Sequence, residues 1–126
     1  MSLHILGVNT AYHESSACLL RDGEIVAIAE EERFNRFRHG KHSRVDNPDD
    51  LPEQAIAWCL RQGGIGWKEV AAIGYSFDPE ERRRRSLNLP DAGRVRPGDW
   101  GTPEGEETYY RHSLAARDKL VARAPQ

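Results

Sequence analysis

The dipeptide Asp22-Gly23 constrains the fold of this chain more than any other short stretch, because it separates two apolar runs of strand-like composition. An Asp-Gly link between such runs favours a type I′ turn, in which both central residues take a positive φ. The two runs, SACLLR and EIVAIAEEE, therefore predict an antiparallel β-hairpin. The apolar run LHILGVN at residues 3–9 predicts a buried strand before the hairpin.

Helix and strand patterns alternate after the hairpin. The segment PEQAIAWCLRQ predicts a helix, with Pro52 in its first turn and a Gly-Gly pair after its end. The run VAAIGYSF at residues 70–77 predicts another buried strand, and PEERRRRSL predicts a helix that begins after Asp78. We expect this strand to pair in parallel with the first one, which makes the fold class α/β. One face of the first helix is expected to cover the hairpin with Ala55, Ile56, Cys59 and Leu60.

Two stretches lack periodicity and predict loops. Residues 33–50 are first basic and then acidic, whereas residues 88–108 are rich in Pro and Gly. The chain is thus divided into an N-terminal unit at 1–87, a loop or insertion at 88–108, and a helix at 109–126. The residues expected on one side of that helix are Tyr110, Leu114, Ala115 and Val121.

The charge balance and the cysteine content limit the class of protein. Lys and Arg number 18 against 20 Asp and Glu, giving a formal net charge of −2, whereas nucleic-acid binding usually needs an uncompensated basic face. No run approaches the roughly 20 apolar residues of a membrane helix. Cys18 and Cys59 lie in apolar segments without a C-x-x-C pair, so we expect a reduced, cytoplasmic protein with two buried thiols.

The turn after the first strand is a candidate anion site. Thr10, Ser15 and Ser16 would bring hydroxyls and backbone amides into one concavity between two strands, and such concavities bind anions. The simpler interpretation is that Asn9 and the serines satisfy their own turn, and spacing alone favours it. On spacing alone, His13 is only weak evidence for a catalytic group.

Basic residues crowd into the segment EEERFNRFRHGK, which follows the hairpin. Its arginines and Lys41 would grip a phosphate or a carboxylate, but a solvated cluster in which acids and bases neutralise each other is favoured by composition. In a continuous strand, Glu30 and Glu32 fall on one face and Glu31 on the other.

Two further charged clusters are expected to have no binding or catalytic role. Arg82 to Arg85 follow two glutamates and are expected to form a solvated helix face. His39 and His42 lie near Asp46 and Asp49 without the spacing of a metal motif, so we predict no complete metal site in this chain.

Taken in order, these motifs resemble the start of the carbamoyltransferase family, whose members carbamoylate hydroxyl groups of natural products such as aminoglycosides, ansamycins, cephalosporins and nodulation factors. The resemblance covers residues 4–78. It rests on a first strand ending Gly-x-Asn, a His followed by Ser-Ala, the Asp-Gly hairpin, EERFNR, a basic turn with a His, and PEQAIAWCL.

The resemblance implies a two-domain enzyme whose N-terminal part has the fold of actin, sugar kinases and chaperone ATPases, incomplete in this chain. Such enzymes turn carbamoyl phosphate and ATP into a carbamoyl-adenylate and pass the carbamoyl group to the hydroxyl of a small-molecule acceptor. The resemblance also implies a divalent metal ion, iron or magnesium. The family's His-His-x-x-His metal motif and its second domain do not occur in this sequence, so we expect a leading fragment that needs the rest of the enzyme.

The same resemblance assigns roles to individual residues. His13 matches the general base that acts on the acceptor hydroxyl, a role that suits an imidazole with a pKa of about 6.5. Arg38 and Lys41 fall in the basic turn that contacts phosphate, although Arg38 stands where a Lys is common. The other residues implied in substrate and phosphate binding are Ser15, Ser16 and His39.

Two other functions stay open. The chain could belong to an actin-like kinase or a threonylcarbamoyl-transfer enzyme, although kinases carry Asp-x-Gly-Thr-like phosphate loops where this chain has NTAYH. It could instead be a non-catalytic module that binds an anion or a partner through residues 33–44. Residues 88–108 are the local candidate for acceptor specificity, with a disordered insertion as the favoured alternative.

Overall fold

A mixed four-stranded β-sheet forms the centre of the structure, a computed structural model that describes residues 1–11, 14–41, 49–86 and 103–124. The strands are β1 (His4–Asn9), β2 (Ser16–Arg21), β3 (Glu24–Glu30) and β4 (Val70–Tyr75), and the helices are α1 (Glu32–Asn35), α2 (Glu53–Gly63), α3 (Pro79–Ser86) and α4 (Pro103–Arg123). Short 3₁₀ turns occur at Arg38–Gly40 and Trp67–Glu69. The strand order across the sheet is β3-β2-β1-β4.

The hairpin predicted from Asp22-Gly23 is confirmed. Both turn residues have the positive φ that a type I′ turn requires, 50° at Asp22 and 86° at Gly23. The Asp22 carboxylate also accepts a hydrogen bond of 2.8 Å from the backbone N–H of Leu3. The turn is therefore bonded to the residue just before β1, which fixes the hairpin beside that strand.

The parallel pairing of β4 with β1 is also confirmed. Leu6 lies opposite Ile73 and Gly7 lies opposite Gly74, whereas β1 and β2 run antiparallel. The chain is thus α/β with a mixed sheet. The further likeness to an actin-type ATPase domain stays a prediction.

Helix α2 covers one face of the sheet with the side chains that its periodicity predicted. It ends at Gly64, whose φ of 66° lets its N–H donate to the carbonyls of the last turn. The buried residues of α2 are Ala55, Ile56, Cys59, Leu60 and Gly63. The sheet residues in the same core are Leu6, Val8, Ala17, Leu19, Ala27 and Ala29.

The two cysteines lie in different environments. Cys59 is fully buried, with its Sγ 3.6 Å from the carbonyl oxygen of Ala17, and burial raises the pKa of this thiol to about 11. Cys18 is only partly buried, because successive strand residues alternate in face and it lies opposite to Ala17. The expectation of two buried thiols is therefore wrong for Cys18, and both thiols are free.

Helix α4 begins at Pro103, earlier than the predicted start at residue 109. Proline suits the first helical position, and Glu104 and Glu106 in the first turn favour the positive end of the helix dipole. Residues 103–108 are therefore helical rather than part of a loop, whereas residues 88–102 of that loop lie outside the described residues. None of the helices in the described part of the chain has the length and apolar content needed to cross a membrane.

The buried side of α4 also differs from the predicted one. Val121 is exposed, and the other residues of the predicted side are only half-buried. The side was chosen for its apolar residues, but the helix instead buries a stripe of small residues around one tyrosine, with the Ser113 hydroxyl donating to the Tyr109 carbonyl at 2.8 Å. That stripe consists of Tyr109, Ser113, Ala116 and Leu120.

Arg82 and Arg83 of α3 bind α4, which corrects the expectation of a fully solvated arginine face. Arg82 donates hydrogen bonds of 2.9 and 2.7 Å to the carboxylate of Glu106, whose side chain is 8% exposed. The Arg82 guanidinium also lies 5.1 Å from the centre of the Tyr109 ring. Acidic and aromatic residues at the start of α4 therefore make α3 a docked helix. Arg84 and Arg85 are exposed as predicted and pair with Glu81.

Candidate functional site

The candidate site lies at the sheet edge where β1 and β4 end and β2 begins. Ligands of open α/β sheets bind beyond the carboxyl ends of the parallel strands, which is where this edge lies. Ser76 donates from its Oγ to Asn9 Oδ1 at 2.6 Å, and Asn9 Nδ2 donates to the Glu14 carbonyl at 2.9 Å. Asn9 thus joins the ends of both strands to the segment that precedes β2. The predicted base, His13, lies outside the described residues.

A basic turn, residues 36–41, folds back over this edge. The prediction of a strand through Glu32 is wrong, because β3 ends at Glu30. The predicted loop at 33–50 begins with the short helix α1, and its residues 42–48 lie outside the described residues. Helix α1 ends where Arg36 takes a φ of 59° and donates its N–H to the Glu32 carbonyl at 2.9 Å. This left-handed residue reverses the chain and brings the basic residues after it against the start of β2.

Asn35 closes the basic turn with both ends of its side-chain amide. Its Nδ2 donates to the Gly40 carbonyl at 2.9 Å, and its Oδ1 accepts from the Phe37 N–H at 2.9 Å. Asparagine often bonds to the backbone two residues further on and so stabilises turns. Asn35 is therefore the local sequence signal for this turn.

Gly40 allows the basic turn to pack closely against two strands. Its φ is 76°, and a Cβ placed on it would lie 2.9 Å from the Glu31 Cβ and 3.3 Å from the Ser15 Cβ. No other residue satisfies both the positive φ and the contact distance. The turn therefore lies directly on the end of β3 and the start of β2.

The basic turn holds the segment at residues 10–15 at two points. Lys41 is buried and donates from its Nζ to the Thr10 carbonyl at 2.5 Å. At the other end, His39 Nδ1 lies 2.5 Å from a Glu14 carboxylate oxygen, and the Ser15 N–H donates to the His39 carbonyl at 3.1 Å. Since a carboxylate accepts, Nδ1 carries the His39 proton in this contact. The segment that contains residue 13 is thus bonded to the basic turn on both sides.

The three hydroxyl groups of the predicted anion site lie in different environments. Thr10 is buried and donates from its Oγ1 to the Asp50 carbonyl at 2.9 Å, which is a tertiary contact rather than one within its own turn. The Ser15 Oγ is buried without a hydrogen-bond partner among the described residues. Ser16 belongs to β2 and is half-exposed, and Arg38 is exposed in the basic turn. Arg38 is therefore the predicted phosphate ligand with the most access to solvent.

Glu31 has a structural role that its charge cluster did not predict. It is 3% exposed, and its carboxylate accepts the backbone N–H groups of Ala55 at 2.7 Å and Gln54 at 3.2 Å. Burial raises the pKa of this carboxyl above 4.5, while the two N–H donors oppose the rise. The interpretation of Glu31 as part of a solvated cluster is wrong. The signal was that Pro52, which precedes α2, has no side chain that could cap the helix.

The residues described at this site do not offer a metal centre. Within ranges 1–11, 14–41, 49–86 and 103–124, no three His, Cys, Asp or Glu side chains are grouped so as to hold a metal ion. The metal implied by the resemblance therefore does not fit the described residues, and we assign it no ligand here.

The comparison with protein families identifies this segment. The family model described as carbamoyltransferase N-terminus matches residues 4–118, nearly the whole chain. The protein sll1178 of Synechocystis sp. is 42% identical over 76 residues, which are 60% of this chain and 11% of that protein. The nodulation protein NolNO of Sinorhizobium fredii is 36% identical over 67 residues, which are 53% of this chain and 9% of that protein.

A third relative has a different length. A 19.2 kDa protein encoded in the syrM 5′ region of Rhizobium etli is 33% identical over 67 residues, 53% of this chain and 34% of that protein. The chain therefore spans about a tenth of two of these relatives and a third of the other. With its residues 4–118 matching the family model, the chain belongs to the carbamoyltransferase family and is an N-terminal carbamoyltransferase segment.

Proposed function

We propose that this segment is part of a cytoplasmic, ATP-dependent O-carbamoyltransferase that transfers the carbamoyl group of carbamoyl phosphate, through a carbamoyl-adenylate, to a hydroxyl of a small natural product. Membership of the family supports the transferase class. The similarity to a nodulation protein is compatible with a small-molecule acceptor. The rest of the enzyme supplies the remaining ligand contacts.

The observation that carries the proposal is the double attachment of the basic turn to the segment around residue 13. The Lys41 contact with Thr10 and the His39 contact with Glu14 lie on either side of His13 in the sequence. We infer that a base at position 13 and a cation of the basic turn act on one substrate, since groups on connected segments lose less entropy when they meet it.

In this proposal the acceptor oxygen attacks the carbamoyl carbon while His13 takes the hydroxyl proton. The bond from that carbon to the adenylate phosphate oxygen breaks, and the phosphate leaves with the negative charge. Arg38, which is exposed in the basic turn, would bind that charge as a bidentate donor. Ser15 and Ser16 would add donors at the start of β2.

Lys41 and His39 act as positioning residues in this arrangement. Lys41 is buried and already bonds to a carbonyl, so its ammonium orients the backbone at Thr10. His39 is held by Glu14, which fixes the side of the turn next to Arg38.

The test uses a full-length carbamoyltransferase carrying this segment, with ATP, radiolabelled carbamoyl phosphate and a panel of hydroxyl-bearing acceptors. His13→Ala is expected to lower kcat by about 10²–10⁴-fold, as for loss of a general base, while calorimetry gives unchanged binding of ATP and carbamoyl phosphate. Arg85→Ala, an exposed arginine far along the chain, is the control. Full activity in His13→Ala would overturn the proposed base.

The 126-residue chain alone provides a second test. We expect it to transfer no carbamoyl group, because it spans only a small part of its two longer relatives. Transfer by the isolated chain would contradict its role as a fragment. Anion binding by both proteins with transfer by neither would favour the non-catalytic module instead.

A further inference from the structure

One face of the sheet is apolar and is not covered by the residues that the structure describes. α2 and the core lie against the other face, which carries Leu6, Ala17 and Leu19. The pairing register places two rows of apolar or small residues across the open face. We call this surface the open face, and its rows are Ala72, Ile5, Leu20 and Ile25, then Gly74, Gly7, Cys18 and Ile28.

The open face exposes large apolar side chains. Ile25 is 67% exposed and Ile28 is 65% exposed, and both lie in the antiparallel strand β3. Within the described ranges the core packs on the opposite face. An antiparallel sheet can leave one face in water, but that face is then usually polar, and a contiguous apolar surface of this kind marks an interaction site.

A groove of about 290 Å³ lies over two neighbouring glycines of this face and reaches Asn9, Ser16 and Ser76 at the strand ends. A Cβ on Gly74 would meet nothing within 4 Å, and one on Gly7 would make only ordinary contacts with Cys18 at 3.8 Å. Neither glycine has a positive φ. The described chain therefore has no need for glycine at these two positions, and the space they leave suits a close-packed backbone from outside it.

We propose that the open face docks an apolar helix side from the polypeptide that follows this segment in full-length carbamoyltransferases. The length of the relatives supports this occupant, because nine-tenths of the sll1178 and NolNO proteins lie outside the matched region. The chemistry of the rows supports it too, since they carry no charged side chain and thus favour an apolar partner over an anion or a nucleic acid.

The two cysteines make a built-in probe of this contact. Cys18 lies in the groove on the open face, whereas Cys59 is fully buried on the other side. A maleimide reagent with peptide mapping by mass spectrometry measures the labelling rate of each thiol separately. In the isolated 126-residue chain we expect Cys18 to react and Cys59 to be protected.

The decisive sample is a chimera in which residues 4–118 replace the matching segment of the sll1178 protein. Docking should slow the labelling of Cys18 by about tenfold or more relative to the isolated chain, because reaction then requires local opening. Ile28→Glu should restore fast labelling in the chimera. The matched control is Val121→Glu, the same charge placed on an exposed apolar position of α4, which should leave Cys18 protected.

Equal labelling of Cys18 in the chimera and in the isolated chain would overturn the proposal. Protection that rises with the concentration of the isolated chain would assign the face to a second copy and would overturn it as well. Protection of Cys18 in the dilute isolated chain would mean that other residues of the chain cover the face, with the same consequence.

A measurement on the isolated chain keeps the proposal testable where the chimera does not fold. Because Ile28 is mostly exposed, Ile28→Glu should change the melting temperature by about 5 °C or less, the scale of a β-propensity change. A shift as large as that of a core substitution would contradict an open face. None of these measurements depends on catalysis, so they test the docking proposal independently of the proposed function.

Discussion

The basic turn at 36–41 and the arginine row of α3 carry similar charge but are held in different ways. Backbone hydrogen bonds, a buried glycine and a buried Lys41 fix the turn against the sheet. The α3 row is joined to α4 through side chains, chiefly the Arg82 pair with Glu106. The turn can therefore present a cation at a fixed point, whereas the row makes a helix contact. Charge density alone does not separate the two roles.

Gly40→Ala tests the close packing of the turn, and we expect it to cause the largest loss of stability. Strain at positive φ contributes about 1 kcal/mol, and the clash with Glu31 adds about 1–3 kcal/mol, to a total of about 2–4 kcal/mol of lost stability. Urea unfolding measures it. Gly64→Ala is the control, since Gly64 has a similar φ of 66° and nothing within 4 Å, so only about 1 kcal/mol is expected. Equal losses would mean that the turn is not tightly packed.

Glu31→Ala comes next, because it leaves two N–H groups of α2 without their acceptor. Hydrogen bonds to a charged group contribute about 1.5–3 kcal/mol in total, and we expect a loss in this range by urea unfolding. Glu30→Ala removes an exposed carboxylate one residue away and is the control. A loss no larger than that of Glu30→Ala would show that Glu31 does not cap α2.

The pH dependence of stability tests the environment of the same carboxyl. Burial raises the pKa of Glu31 above 4.5, so the folded chain holds this proton more tightly than the unfolded chain. Its contribution to stability is then fully present below pH 4.5 and decreases as the pH rises through the folded pKa. The difference in unfolding free energy between wild type and Glu31→Gln should therefore fall across that window. A difference that rises with pH would mean that the N–H donors outweigh burial.

Arg82→Ala tests the other half of the comparison. The loss of hydrogen bonds between two fully buried charged groups costs about 1.5–3 kcal/mol. Because the Arg82 side chain is 30% exposed, we expect a loss of about 1 kcal/mol here. Arg85→Ala, with its side chain 78% exposed, should change stability by less than about 0.5 kcal/mol. A Glu106→Gln partner and the double variant measure the coupling. Equal losses of stability in Arg82→Ala and Arg85→Ala would show that Arg82 does not hold α3 against α4.

Arg38→Ala should have the smallest effect on stability, less than about 0.5 kcal/mol, because this side chain is exposed. It should nevertheless weaken the binding of AMP, the leaving group of the proposed transfer, to the full-length enzyme, measured by calorimetry, while Arg84→Ala does not. Unchanged binding in Arg38→Ala would show that the basic turn has no role in anion binding.

The features that sequence predicted were those fixed by neighbouring residues. Asp22-Gly23 dictates its own turn, and the periodicity of α2 identifies the side that packs on the sheet. Glu31 was missed because its partners lie more than twenty residues away and their need for an acceptor depends on the fold. The stripe of α4 was missed because a buried serine and tyrosine carry little hydrophobic signal. The sequence predicts Lys41 to be a surface cation, because only the fold shows that its side chain is buried.

The parallel pairing of β1 with β4 sets an order of events during synthesis. The β2–β3 hairpin needs only a two-residue turn, and hairpins form in about 1–10 μs. The pairing of Leu6 with Ile73 can form only after the ribosome has added Ile73, roughly 3–13 s later at about 5–20 residues per second. Through that interval the outer edge of β1 has its backbone groups exposed to strand addition by another chain. The edge of β1 is therefore an aggregation-prone part of the sheet until β4 emerges.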